Sequence, residues 1–103
     1  MLATNDNITG VLKITGTLDM ESAAGLRDTL LDCLSQQPEV AIDLGEVEAC
    51  DTASLQLLLA AWKEAGSLQK PFRFVAASNP VVATAAALGF SRIIPSTPAA
   101  NPV

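Results

Sequence analysis

The chain has 103 residues, room for one domain and not two; half are hydrophobic and 17% are charged, which excludes disorder along its whole length. Six Lys and Arg against eleven Asp and Glu give a formal net charge of −5, too few cations to neutralise a run of phosphates or to settle on anionic lipid. Histidine is absent, and Cys33 and Cys50 have neither metal-ligand nor CxxC spacing, so the expectation is buried, reduced thiols and a protein partner with a basic or mixed face.

The first residues, Met1-Leu2-Ala3-Thr4-Asn5-Asp6, show no basic segment followed by an apolar one, and no run approaches the ~20 apolar residues of a membrane span. A cytoplasmic protein is therefore expected. Leu2-Ala3-Thr4 predicts a short edge strand and Asn5-Asp6-Asn7 a turn. Val11-Leu12-Lys13-Ile14-Thr15, rich in β-branched residues, predicts a strand ending at Gly16. Asp19 reads as a helix N-cap with Glu21 in the first turn, and Ala23, Leu26, Leu30 and Leu34 follow at helical spacing up to Pro38. Val40-Ala41-Ile42-Asp43-Leu44 is a short apolar run of the kind found in central strands.

The acidic residues Asp43, Glu46, Glu48 and Asp51 predict a loop after that strand. Such a loop admits a divalent cation in principle, but a solvated loop with a helix cap is the simpler reading, and no metal is predicted. Asp51 and Thr52 then start a second helix with the stripe Leu55, Leu58, Leu59 and Trp62, and Gly66 as its terminating residue. Phe72-Arg73-Phe74-Val75-Ala76 alternates like a strand. Ser78 or Asn79 caps a third helix, with Pro80 at its first position and Gly89 at its end. Ile93-Ile94 suggests a last short strand. The predicted domain covers residues 1–94, and Pro95 to Val103, with three prolines, reads as a loose tail. Alternating strands and helices predict an α/β layer fold: a mixed sheet of four to five strands with about three helices packed largely on one face.

Chemistry narrows quickly. Without histidine there is no Ser-His or Cys-His nucleophile, and neither a GxxxxGK[ST] nor a GxGxxG loop is present. No enzyme and no cofactor are expected. At Asp51-Thr52 the first helical turn has free N–H groups and partial positive charge, and a capping oxygen from either residue suffices to explain both. The functional reading makes the Thr52 hydroxyl a phosphate acceptor. Phosphate there would add about −1.5 to −2 charges facing a receptive helix start. A protein docked on this corner would then meet a dianion beside Asp51. Losing ~3–4 kcal/mol of binding weakens a complex ~100- to 1000-fold.

Several segments, in order over residues 8–94, together resemble the STAS family, whose founding members are bacterial anti-sigma-factor antagonists. Gly16-Thr17-Leu18-Asp19 is similar to the family's G-x-L-D turn, Val40 to Leu44 to its central strand, and Asp51-Thr52-Ala53-Ser54-Leu55 to its D-[ST]-x-G-L signature. Ser78-Asn79-Pro80-Val81 with Leu88-Gly89-Phe90 is similar to its ending. The resemblance implies that Thr52 is the regulated hydroxyl and that partners bind Asp19, Asp51, Thr52, Ala53, Ser54 and Gln56. It implies partner switching: the unmodified domain binds a serine/threonine kinase that is also an anti-sigma factor, phosphorylation releases it, and a phosphatase resets the domain. Ser54 replaces the signature glycine and is a second candidate hydroxyl. The final helix of many antagonists has no counterpart. The compact Thr-bearing form also resembles STAS domains of chemotaxis-type systems, and the small cytoplasmic subunit that clamps the ATPase of phospholipid-transport ABC complexes. A phospho-switched regulator, a constitutive ATPase adaptor and a small enzyme or nucleotide-binding protein thus stand as separate expectations.

Overall fold

A computed structural model describes residues 1–6 and 8–94. Strands β1 (Leu2–Asn5), β2 (Val11–Leu18), β3 (Val40–Cys50) and β4 (Phe72–Ala77) lie in that order across one sheet. Helix α1 (Ala23–Gln36) joins β2 to β3, α2 (Thr52–Ser67) joins β3 to β4, and α3 (Asn79–Ala87) follows β4. β1 and β2 form an antiparallel hairpin, Leu2 opposite Thr15 and Asn5 opposite Leu12, while β2/β3 and β3/β4 are parallel. Both parallel connections step the same way along the sheet, so right-handed crossovers put α1 and α2 on one face. α3 packs on α2 and β3. The expected mixed α/β architecture is the one found, with four strands and three helices among the described residues.

The strand period of two sends Leu12, Ile14 and Leu18 of β2 to the helical side, where they meet Ile42 and Leu44 of β3 and Phe74 of β4. Leu26, Leu30 and Leu34 of α1, Leu55, Leu58 and Leu59 of α2, and Val81 and Ala85 of α3 close the same core. On the other sheet face Lys13 pairs with Glu46, both well exposed. Among the described residues no helix is long and apolar enough to cross a membrane.

Several local expectations are corrected. β2 does not stop at Gly16 but runs through it to Leu18, because Gly16 takes a φ of +89°, a conformation open to glycine, and keeps the chain in the ladder. β3 continues to Cys50, so Asp43, Glu46 and Glu48 lie on a strand rather than in a loop. Gly66 lies inside α2; the left-handed residue after that helix is Gln69, with φ +58°. Ile93 and Ile94 form a turn whose N–H groups reach the Phe90 carbonyl at 3.1 and 3.2 Å, and Ile94 enters the core instead of extending the sheet. The third helix ends as anticipated, with Gly89 at φ +84°. The Pro-rich segment 95–103 falls outside the described residues.

Candidate functional site

β2 and β3 end side by side, Leu18 opposite Cys50, and the Asp51 N–H donates to the Leu18 carbonyl at 3.0 Å. This bond extends the ladder one residue past β3 and sets the turn beginning at Asp19 beside the start of α2. Asp51 is the N-cap of α2: its backbone is extended, and its Oδ1 accepts the Ser54 N–H at 2.7 Å. That bond, with a weaker contribution from the nearby Ser54 hydroxyl, holds the Asp51 carboxyl below the usual carboxylate range. Thr52, Ala53 and Gln56 are all exposed. Their spacings of three and four residues put them on one side of the first turns of α2.

Ser54 is placed otherwise. Its side chain is 0% exposed, and its hydroxyl has no hydrogen-bond partner of good geometry. In α2 it shares a stripe with Leu58, Ala61 and Ala65, all buried. Turning this face to the core hides the hydroxyl from kinases and partners alike, so the expectation of Ser54 as second acceptor and docking residue is corrected.

Asp19 is half-buried and does not cap α1 itself. Its Oδ1 accepts the N–H groups of Glu21 at 3.0 Å and Ser22 at 3.2 Å, and Ser22 Oγ accepts the Asp19 N–H at 3.0 Å. This reciprocal pair locks a turn before α1, whose N-cap is Ser22. The turn lifts Met20 into solvent at 86% exposure. Sequence reasoning passed over Met20, although it was the apolar residue with no place in the Ala23–Leu34 stripe. A shallow depression lined by Met1, Thr17, Glu21 and Gly25 lies on the Asp19 side.

Thr84 was also missed. Its hydroxyl donates to the Cys50 carbonyl at 3.0 Å and ties α3 to the end of β3 just before Asp51. Cys50 is buried beneath the corner. Burial first, then the charge of Asp51, pushes its thiol up to about 11, so it stays protonated near neutral pH. The acidic residues of β3 are dispersed: Asp43 Oδ1 accepts the Gly45 N–H at 2.8 Å, and Glu46 faces Lys13. Among the described residues no group of three His, Cys, Asp or Glu is placed to hold a metal ion.

Together these features define a small α/β module that offers an acidic corner with an exposed hydroxyl. The family model described as "Mlab, STAS domain" matches residues 1–95, and the chain belongs to the STAS domain family. Two solved structures are similar. One is the anti-sigma factor antagonist SpoIIAA in its unphosphorylated form, 15% identical, with a TM-score of 0.68 over 82% of this chain and 75% of that one. The other is an anti-sigma factor antagonist from Mycobacterium paratuberculosis, 24% identical, with a TM-score of 0.74 over 91% of this chain and 80% of that one. At such identities the likeness establishes the fold. No curated protein matches the chain.

Proposed function

We propose that this STAS domain is a non-catalytic, cytoplasmic regulatory module that docks a protein partner through Asp19, Asp51, Thr52, Ala53 and Gln56. Phosphorylation of Thr52 by a serine/threonine kinase releases that partner, which is the kinase acting as anti-sigma factor or a related signalling protein. One observation carries the reading: Thr52 is exposed in the first turn of α2 beside Asp51 and the Asp19 turn, whereas Ser54, two residues on, is sealed in the core. A single accessible hydroxyl on an acidic rim is enough for a switch, because a phosphate there adds charge where a docked surface has lost its water. Met20 supplies an exposed, adaptable apolar contact at the same corner.

A second reading has the same corner clamped permanently on the ATPase of a phospholipid-transport ABC complex. The description of the matched family model, Mlab, favours it, in line with the resemblance to the small transporter subunit. Here Thr52 contributes contact surface and requires no modification.

The test begins with the full chain purified from its native cells together with its partners, followed by peptide mass spectrometry of Thr52. Against a partner so verified, Thr52→Glu is expected to keep the wild-type circular dichroism spectrum and to bind ~100- to 1000-fold more weakly. Thr52→Ala is expected to bind like wild type and to escape release by the kinase. Equal binding of Thr52→Glu and wild type would sink the switch. Recovery of an ABC ATPase with unmodified Thr52 would establish the second reading.

A further inference from the structure

The seam between α1 and α2 turns apolar side chains to solvent. Leu31 is 49% exposed, Leu57 is half-buried and Ala60 is exposed, above a floor that includes the buried Leu30. The outward side of a surface helix in water is ordinarily polar, and here three apolar residues share one seam. Two charged residues border it, Arg27 and Glu64. Both helices return against the direction of the parallel strands, so α1 and α2 run the same way. Arg27 therefore closes the amino-terminal end of the seam on α1, and Glu64 closes the carboxyl-terminal end on α2. The two charges stand diagonally across the apolar strip. Among the described residues the one ion pair found is Lys13–Glu46, so neither Arg27 nor Glu64 has a salt-bridge partner among them.

This diagonal is self-complementary. A two-fold axis lying across the seam, at right angles to the Arg27–Glu64 line, brings Arg27 of each copy to Glu64 of the other and lays the Leu31–Leu57 strip on its own counterpart. We propose that the α1–α2 seam is an isologous interface and that its occupant is a second copy of this chain. The apolar strip supplies the attraction and the two rim pairs fix the register. With so few apolar residues in the strip, the expected dimer is weak and concentration-dependent. None of the seam residues belongs to the Thr52 corner, so the proposal stands or falls independently of the docking function.

The experiment is sedimentation equilibrium on the full chain over a wide concentration range, with folding of every variant verified by circular dichroism. The wild type is expected to equilibrate reversibly between monomer and dimer, and Leu31→Glu to abolish the dimer. Ala60→Glu, at another exposed position, gives the same reading should Leu31→Glu fail to fold. Arg27→Glu and Glu64→Arg are each expected to raise the dissociation constant ~10-fold or more, and the double exchange to return it to within ~3-fold of wild type. A monomer at every concentration overturns the proposal. So does a dimer indifferent to the seam variants, or a double exchange no better than its singles.

Discussion

The Asp51 carboxylate accepts a hydrogen bond in the folded domain that the unfolded chain lacks, and its folded pKa is lowered accordingly. A lowered carboxylate pKa contributes stability above the unfolded value, ~3.9, and loses it as the pH falls through the folded value. The stability difference between wild type and Asp51→Ala is thus expected to be full at neutral pH and to shrink below roughly pH 4. Urea titrations at a series of pH values measure it, and a difference that does not change with pH would show that the carboxylate's charge is irrelevant to the cap. Ser54 behaves oppositely. Its buried hydroxyl lacks a well-aligned partner, so Ser54→Ala removes an unsatisfied polar group and is expected to stabilise the fold by about 1 kcal/mol. Thermal unfolding decides; a loss of similar size would mean that the hydroxyl is bonded to Asp51 after all. Asp51 and Thr52 were legible in the sequence because capping is a local chemistry. The burial of Ser54 was written less plainly, in the stripe of small residues it shares with Ala61 and Ala65.

Helix ends show how far local signals reach at the level of elements. After α3, Gly89 takes the left-handed position, and the Phe90 N–H reaches back to the Ala85 carbonyl at 2.8 Å. After α2 the same six-residue closure joins the Lys70 N–H to the Ala65 carbonyl at 2.9 Å, but the left-handed residue is Gln69. Glycine is the usual terminator, which is why Gly66 reads as the end of α2; the helix instead runs past it, and beyond the closure the Lys70 ammonium group donates to the Leu34 carbonyl near the end of α1. Since a side chain in the left-handed region is strained, Gln69→Gly is expected to stabilise the domain by up to about 1 kcal/mol in chemical denaturation. An unchanged or lower midpoint would indicate that the Gln69 side chain offsets the strain. β3 was half legible. Its inward residues Ile42, Leu44, Val47 and Cys50 are spaced by two, three and three, and the register against β2 slips between Lys13 and Thr15 and again between Gly16 and Thr17. Each slip inserts one residue into β3 and breaks the period of two. A bulged strand with glutamates on its outer face therefore reads as an acidic loop.

For the molecule as a whole, one core cluster contains both thiols, Cys33 from α1 and Cys50 from β3. Burial raises the pKa of each, with neighbouring Asp32 and Asp51 adding to it. Neither thiol is expected to react with a disulfide reagent in the native protein at neutral pH, and both should titrate after denaturation, the native rate following unfolding of the domain. Fast reaction of one thiol would mean that its element opens separately from the rest of the core.

The amino-acid order by itself determined the helix start at Asp51, a third helix opened by Ser78 or Asn79, the leucine stripes, the α/β alternation, and the absence of a histidine-dependent nucleophile or a phosphate loop. Each is written within one turn or one strand, where neighbouring residues interact directly. The order did not place Trp62, which reads as part of the α2 stripe and is 40% exposed. Tertiary structure alone decided that β2 and β3 pair to their last residues, so that the Asp51 N–H meets the Leu18 carbonyl and two distant aspartates share a corner with Thr52. It also decided that the helix turns Ser54 inward. Backbone hydrogen bonds between strands carry no side-chain signature, and the face a helix buries is chosen by what it packs against.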